Sequence, residues 1–350
     1  MNGLSQARTR VLKVDPGCPD PAVLHEAARV IRRGGLVAFP TETVYGLAAM
    51  GTSIPALKRL FKAKGRPQAS PLTLHLWSTQ QVPPLVRFIP DAARRLVARF
   101  WPGPLTLVLW KSRRVPAMVT GGRDSVGLRL PDHRVARELI RLAGAPLVAP
   151  SANLSGRPSP TSAADVLSDL EGRIDLVLDG GETSLGLEST VLDLTVDPPA
   201  VLRPGSVSAS DIEACLGSGV RVGLGDMPDL RLRYAPGPRL LLFEGPDPAA
   251  VVGRILRAYR RLEAGGGRVG VLAAEESVPL YTAAGLPPGH VRAAGSRADP
   301  AAAARRLYRV MRGFEAEGFS CILAEPFPDE GLGAAVMHRL RLAAAETVKE

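Results

Sequence analysis

Lysine is concentrated in one short stretch of the chain, KRLFKAKGRPQASPLTLHL. Three of the six lysines lie between Lys58 and Lys64, whereas arginine supplies most of the positive charge elsewhere. Lysine and arginine side chains held on one turn can bind a single anion such as a phosphate. The alternative is a solvated, basic helix end that complements its own dipole. The cluster alone leaves both interpretations open.

The residues around this cluster predict the elements that position it. A helix from about Pro55 should end at Gly65, because glycine commonly terminates helices. The alternating run 72–77 then predicts a strand. We therefore expect the cations to lie at a helix-to-strand turn, with the Ser70 hydroxyl and the His75 imidazole just beyond it.

A second group of polar side chains follows the strand that ends at Pro40, in the segment FPTETVYGLAA. Thr41, Glu42, Thr43 and Tyr45 would then lie at a sheet edge, where open α/β sheets bind ligands. Two hydroxyls, a carboxylate and a phenol can hold a small polar molecule. The alternative is a strand followed by a helix that a threonine caps, with the tyrosine packed.

A third group follows an apolar strand in PLVAPSANLSGRPSPTSA, residues 146–163. This density of donors fits hydrogen bonds to phosphate or ribose, although such segments also form plain turns. The donors are Ser151, Asn153, Ser155, Arg157, Ser159 and Thr161.

Further candidates lie at strand ends or inside strands. Ser189 sits at a strand start in GLESTVLDL, and Arg203 precedes Pro204 and Gly205, so it should lie on a loop. In DSVGLRLPDH, Ser125 opens a strand and Arg129 sits inside its apolar run. A buried arginine is costly unless it is paired or binds an anion.

The composition narrows the class of protein. A length of 350 residues favours two domains over one. The net charge of +10 suggests a polyanionic partner such as a nucleotide or RNA. However, a bias toward arginine, alanine, glycine and proline can arise from GC-rich coding sequence without functional pressure, so the bulk charge is weak support for that partner.

The sequence lacks the motifs that mark several common classes of enzyme. The sequence contains no Walker-type phosphate loop, dinucleotide-binding glycine motif, serine-hydrolase elbow or zinc-protease motif. The three cysteines are isolated and the five histidines show no metal-ligand spacing, which disfavours disulfide frameworks and protein-bound metal sites. No run approaches the roughly 18 apolar residues of a membrane helix. We expect a cytoplasmic protein without membrane contact.

Short apolar runs alternate with amphipathic stretches, which indicates an α/β layer structure. Strands are predicted at residues 36–40, 72–77, 105–110, 126–130, 147–150, 176–178 and 191–194, and helices at 21–34, 55–65, 91–100, 133–143, 162–170 and 208–216. After a stretch rich in Gly and Pro, the pattern restarts with strands at 240–243, 268–272 and 320–324 and helices at 248–263, 300–317 and 333–345. We predict domains at 1–216 and 239–350, joined by a linker at 217–238.

Seven segments together resemble the YrdC-like threonylcarbamoyl-AMP synthases over about the first 207 residues. They are FPTETVYGL, KAKGRP with SPL and His75, WPGPLTLVL, VGLRLPDH, APSANLSG, ESTVLDL and LRPGS, in that order. The pairing of KxR (Lys64, Arg66) with SxN (Ser151, Asn153) is the signature of that family. The C-terminal part resembles the extra domain of the longer members of that family. This resemblance rests on the linker around Tyr234 and on the segment GLGAAVMHRLRLAA near the end of the chain.

The resemblance implies a YrdC-like twisted, open mixed sheet with helices, followed by a smaller, Rossmann-like doubly wound domain. It implies the joining of L-threonine, bicarbonate or CO2, and ATP into threonylcarbamoyl-AMP, with release of pyrophosphate and Mg²⁺ accompanying ATP. It also implies that the product serves N6-threonylcarbamoyladenosine formation at tRNA position 37, through a tRNA threonylcarbamoyltransferase complex and with tRNA contact.

The resemblance also assigns residues. Lys64 and Arg66 would be catalytic, and we expect both to face solvent and ATP. Threonine would be bound by Thr43, His75, Arg129, Ser151 and Ser189. ATP would be bound by Lys64, Arg66, Ser70, Ser125, Asn153, Thr161, Arg203 and Tyr234, with the linker acting as a lid.

Two positions depart from the family pattern. Arg233 stands where histidine is common, and His338 stands where asparagine is common. Two alternatives use the same YrdC-like fold. One is a carbamoyltransferase of the hydrogenase-maturation type, which also makes a carbamoyl-adenylate but carries zinc-finger cysteines and an acylphosphatase domain. The other is an RNA-binding module that holds phosphates in a basic cleft.

Overall fold

The computed structural model describes residues 8–223 and 237–349, which belong to two compact units. The first unit contains most of the described residues up to 223. The second contains 237–349 together with the short segments 156–158 and 185–187. The interior of the predicted linker therefore lies outside the described residues.

The first unit is built on one large mixed sheet. Its order is β1-β8-β2-β3-β7-β4-β6-β5-β9-β10-β11. β4 and β6 pair in parallel, whereas β2 with β3 and β5 with β6 pair antiparallel. The strands are β1 Arg10–Lys13, β2 Val37–Phe39, β3 Gly46–Met50, β4 Thr73–His75, β5 Leu105–Trp110, β6 Ser125–Arg129, β7 Leu147–Val148, β8 Leu176–Asp179, β9 Thr190–Asp193, β10 Ala200–Arg203 and β11 Arg221–Val222.

Helices cover both faces of this sheet. Val37 and Phe39 belong to a core with residues of α1 and α5, whereas Ala38 belongs to a core with residues of α2 and α6. Alternate residues of one strand point to opposite faces, so the two cores lie on opposite sides of the sheet. The helices are α1 Pro21–Arg32, α2 Ile54–Lys64, α3 Asp91–Phe100, α4 Ala117–Thr120, α5 Arg134–Ala143, α6 Ala163–Leu170 and α7 Ala209–Leu216.

The helix ends follow local chemistry. The Asp20 side chain accepts a hydrogen bond from the backbone N–H of Ala22 at the start of α1. Ser162 and Asp165 form a reciprocal capping box on α6. Gly65 ends α2 in the left-handed region, with φ of 61°, where a residue without a Cβ is favoured. This turn fixes the direction in which the chain leaves Lys64.

The second unit is a smaller sheet in which the strand pairs are parallel, in the order β14-β13-β15-β12-β16. Leu240 and Leu242 pack with α10 and α11, whereas Leu241 and Phe243 pack with α8. Helices thus cover both faces, as in a doubly wound domain. The elements are β12 Arg239–Phe243, α8 Pro248–Ala264, β13 Val269–Ala274, α9 Val278–Ala283, β14 Val291–Gly295, α10 Pro300–Ala316, β15 Cys321–Ala324, α11 Gly331–Ala343 and β16 Glu346–Val348.

The predicted fold class is confirmed, but individual elements differ. The alternative in which FPTETVYGLAA continues into a capped helix is wrong, because Gly46–Met50 forms β3 and pairs antiparallel with β2. The sequence prediction also missed β1, β10, β11, α4, α9, β14 and β16. Within the described residues, no helix is both long enough and apolar enough to cross a membrane.

We predict that Leu57→Ala lowers the free energy of unfolding by about 2–5 kcal/mol, because Leu57 is fully buried on the helix that carries Lys64. Lys58→Ala is the matched control, since its side chain is exposed on the same helix, and it should change stability by less than about 0.5 kcal/mol. Urea unfolding of both variants checks this. Equal losses in the two variants would contradict the packing of α2.

Candidate functional site

Lys64 joins the two motif segments of the first unit. Its Nζ donates hydrogen bonds to the backbone oxygens of Ser151 at 2.5 Å and Asn153 at 2.6 Å, and lies 3.4 Å from Asn153 Oδ1. The backbone N–H of Ser155 donates in return to the Lys64 carbonyl at 2.9 Å. The KxR and SxN segments, far apart in sequence, therefore form one structural feature.

The ammonium group of Lys64 is buried rather than open to solvent. Only 2% of the residue is exposed, so the expectation that it faces solvent is wrong. Burial and the neighbouring Arg66 lower the pKa of Lys64. Three oxygens surround a group with three N–H donors, which offsets part of the desolvation cost of the charged form.

Arg66 and Ser70 lie on the turn that follows α2. Arg66 is half-buried, and its Nη2 donates to the Pro71 carbonyl at 3.1 Å. Ser70 is fully buried. The turn packs against Gly121, where an added Cβ would lie 2.0 Å from the Ala69 carbonyl oxygen. Glycine is needed there for the turn to sit so close to the end of α4.

Arg129 is neutralised inside the sheet by Glu42. Their Nη2 and Oε1 atoms lie 2.7 Å apart, and the two side chains are only 5% and 8% exposed. Glu42 Oε1 also accepts from the backbone N–H of Asp132 at 3.1 Å, while Arg129 Nε donates to the Gly103 carbonyl at 3.3 Å. The apolar strand thus carries a paired arginine.

Glu42 is not among the residues that the family resemblance assigns to binding, although the sequence placed it among the polar side chains that follow the strand ending at Pro40. The sequence held two separate signals, a carboxylate beside Thr43 and an arginine in an apolar strand that required a partner. A single sequence does not show that Glu42 and Arg129 are in contact, because the contact arises only when the strands assemble into the sheet.

His75 lies beside Arg129, since the two residues are register partners on the parallel strands β4 and β6. Burial and the Arg129 charge lower the pKa of His75 to about 3. The imidazole is therefore neutral at physiological pH. Its Nδ1 is buried and makes no hydrogen bond to the described protein atoms, which leaves a polar atom for a ligand.

Thr41, Glu42 and Thr43, here called the TET segment, form a tight, buried turn between β2 and β3. Thr41 Oγ1 lies 2.8 Å from Thr43 Oγ1 and donates to the Val44 carbonyl at 2.6 Å. Tyr45 packs in the core, and its hydroxyl donates to the Gly181 carbonyl at 2.7 Å. Gly46 forms an isolated bridge with Ser151, which ties this turn to the loop that Lys64 contacts.

Ser189 and Arg203 are also brought together. Arg203 Nε and Nη2 donate to the Ser189 carbonyl at 3.1 and 2.9 Å, and Nη2 lies 3.2 Å from the Ser189 hydroxyl. That hydroxyl is 2.8 Å from the hydroxyl of Thr106. Arg203 is half-buried at the end of β10, so it belongs to a strand end rather than to a free loop.

Other predicted residues are not joined to these groups by a described contact. Thr161 donates through its backbone N–H and its hydroxyl to Asp165 Oδ2 at the start of α6. Ser125 opens β6 opposite Trp110. Tyr234, Arg233 and most of the predicted lid lie outside the described residues.

The remaining departure from the family pattern lies in the second unit. His338 Nδ1 is 2.7 Å from Arg339 Nη1 on α11.

Across residues 8–223 and 237–349, no group of three or more His, Cys, Asp or Glu is placed to hold a metal ion. Mg²⁺ commonly binds through substrate phosphates and water with few protein ligands. Lys64 and Arg66 are cations, so they suit phosphate oxygens and are not metal ligands.

The arrangement offers two kinds of chemistry. Lys64, Arg66 and neighbouring hydroxyls can neutralise phosphate charge. Arg129, the neutral His75 and the buried threonines can orient a small polar acid. Exclusion of water would strengthen both sets of electrostatic interactions.

The chain matches known proteins over nearly its whole length. The Sua5/YciO/YrdC family model, described as telomere recombination, matches residues 29–205, and the model of the threonylcarbamoyl-AMP synthase C-terminal domain matches 207–345. The threonylcarbamoyl-AMP synthase of Bacillus subtilis is 42% identical, with 94% of each chain covered. That of Pyrococcus abyssi is 44% identical, with 91% of this chain and 92% of the relative covered.

Two solved structures are also similar to this chain over nearly its whole length. The structure of P. abyssi Sua5 complexed with L-threonine has a TM-score of 0.89 at 40% identity and covers 98% of this chain and 100% of that one. A variant of the same protein has a TM-score of 0.90 at 41% identity and covers 98% of each chain. Taken with the paired KxR and SxN segments, these matches show that the chain belongs to the two-domain threonylcarbamoyl-AMP synthase family.

Proposed function

We propose that this enzyme joins L-threonine, bicarbonate or CO2, and ATP into threonylcarbamoyl-AMP and releases pyrophosphate. The observation that carries the proposal is the contact of Lys64 with the Ser151–Asn153 loop, since it unites the two motifs of the family. A threonine carbamate is itself the nucleophile toward the α-phosphorus. The protein therefore needs no covalent nucleophile and can act by positioning and charge neutralisation.

Threonine would lie near Arg129, His75, Thr43, Ser151 and Ser189. Arg129 and the neutral His75 are adjacent on β6 and β4, and the TET turn is tied to Ser151 through Gly46. A guanidinium suits the substrate carboxylate, and the neutral imidazole offers a hydrogen bond without adding charge.

ATP would lie on the other side of the Lys64 contact. Lys64 and Arg66 would bind its phosphates, and further contacts would come from Ser70, Ser125, Asn153, Thr161, Arg203 and Tyr234. Bound Mg²⁺ would neutralise phosphate charge alongside these cations. The anionic phosphates would raise the lowered pKa of Lys64 again and favour its ammonium form. The segment 217–238 would act as a lid that keeps water out.

The product would be consumed in the cytoplasm by a tRNA threonylcarbamoyltransferase complex, which forms N6-threonylcarbamoyladenosine at tRNA position 37. A mixed carbamic–phosphoric anhydride is readily hydrolysed, so rapid transfer to the next enzyme is required. Contact with tRNA during that transfer would be made through its phosphates, for which the net charge of +10 is only weak support.

Pyrophosphate release by the purified protein should require ATP, L-threonine and bicarbonate together. Omission of either threonine or bicarbonate should reduce the rate to background, because the nucleophile forms from both. A coupled pyrophosphate assay measures this. A rate that does not depend on threonine would contradict the proposal, and salt-sensitive RNA binding in its place would favour the RNA-binding alternative.

Lys64→Met should lower turnover by about 100-fold or more, because it removes a cation from the proposed phosphate site. It should also lower the melting temperature, since the Ser151 and Asn153 carbonyls lose a buried donor at a cost of about 1–3 kcal/mol. Steady-state kinetics and calorimetry check both effects.

Lys62→Met is the matched control, because Lys62 is exposed two residues earlier on α2. It should keep near-normal turnover and stability. Similar losses in the two variants, or normal turnover in Lys64→Met, would contradict the role of Lys64.

A further inference from the structure

Within residues 8–223 and 237–349, one carboxylate oxygen of the Arg129–Glu42 pair has no hydrogen-bond partner. Glu42 Oε1 is used by Arg129 and by the backbone N–H of Asp132. Glu42 Oε2 is buried and makes no hydrogen bond to the described protein atoms. The whole residue is 7% exposed. An unmet carboxylate oxygen in such a place is costly unless a ligand supplies a donor.

Among the residues that the structure describes, no second cation contacts this oxygen. Ser184 donates to the backbone oxygen of Glu42 and not to its carboxylate. His133 lies nearby, but burial lowers the pKa of His133 in spite of Glu42 and Asp132, so its imidazole is neutral at physiological pH. Arg129 remains the cation in contact with Glu42.

Arg129 in turn keeps hydrogen-bonding capacity. A guanidinium has five N–H donors, and the described contacts use Nε toward Gly103 and Nη2 toward Glu42. The pair therefore presents a positive group with free donors beside a negative group with a free acceptor. Opposite charges at this spacing complement the carboxylate and ammonium of an α-amino acid zwitterion.

We propose that Glu42 is a specificity-determining residue that accepts a hydrogen bond from the α-ammonium of threonine through Oε2, while Arg129 binds the carboxylate. The inference rests on the proposed function, because it assumes that threonine occupies this site. Recognition by both charges makes the bound assembly of zwitterion and ion pair neutral overall, which lowers the cost of burying four charged groups.

The test is to compare L-threonine with 3-hydroxybutyrate, which lacks the amino group, by calorimetric titration of the full-length protein. The wild-type protein should bind threonine about 10- to 100-fold more tightly, the range expected for a charged hydrogen bond. Glu42→Gln should remove most of this preference, weakening threonine about 10-fold or more while 3-hydroxybutyrate binds nearly as before. The KM for ATP should change little.

Asp132→Asn is the matched control, because the exposed Asp132 side chain is adjacent and only its backbone N–H contacts Glu42. It should keep the wild-type preference. A Glu42→Gln variant that loses both ligands equally would overturn the inference and assign Glu42 a purely structural role through Arg129. Unchanged threonine affinity in Glu42→Gln would overturn it as well.

A second variant and the wild-type comparison complete the test. If Glu42→Gln does not fold, Glu42→Asp should still reduce the preference, because the shorter carboxylate moves away from the ammonium. A wild-type protein that binds both ligands equally would overturn the inference without any variant. A wild-type protein that does not bind threonine would instead contradict the proposed function itself.

Discussion

The geometry of the site depends on how the Lys64 ammonium is held. Two backbone oxygens and an amide oxygen of the Ser151–Asn153 loop surround it, and the residue is almost fully buried. An ammonium in such a place is stable only while those oxygens accept its hydrogen bonds. The contact therefore fixes the loop as much as it fixes the lysine, and the arrangement exists before any substrate binds. Such preorganisation limits the reorganisation needed during reaction.

A second buried charge follows the same principle. Arg129 sits in an apolar strand because Glu42 neutralises it, and removal of one partner would leave the other uncompensated at a cost of several kcal/mol. Both charged features lie where the turn after β2, the turn after α2 and the end of β6 converge. The Glu42–Arg129 ion pair and the bridge between Gly46 and Ser151 join these segments, although β3 and β7 lie between β2 and β4 in the sheet. The fold thus brings charges together that the chain separates by many residues.

Local signals predicted much of the secondary structure. Asp20 and Gly65 marked helix ends correctly, because capping depends on neighbouring residues only. Apolar runs such as Leu105–Trp110 marked buried strands. By contrast, β3 was missed, since its Gly and Ala residues have weak strand preference and gain their place through pairing with β2. The partnership of Glu42 with Arg129 and the burial of Lys64 depend on tertiary contacts, which one sequence does not display.

Lys64 holds the Ser151–Asn153 loop in place before the nucleotide binds. Amide hydrogen exchange of Ala152, Leu154 and Ser155 in the nucleotide-free Lys64→Met variant measures this role without any substrate. Exchange at these amides should be about tenfold faster or more than in the wild-type protein, since tenfold corresponds to about 1.4 kcal/mol, and exchange in β2 should be unchanged. Equal protection of the loop in both proteins would show that the loop is ordered without Lys64.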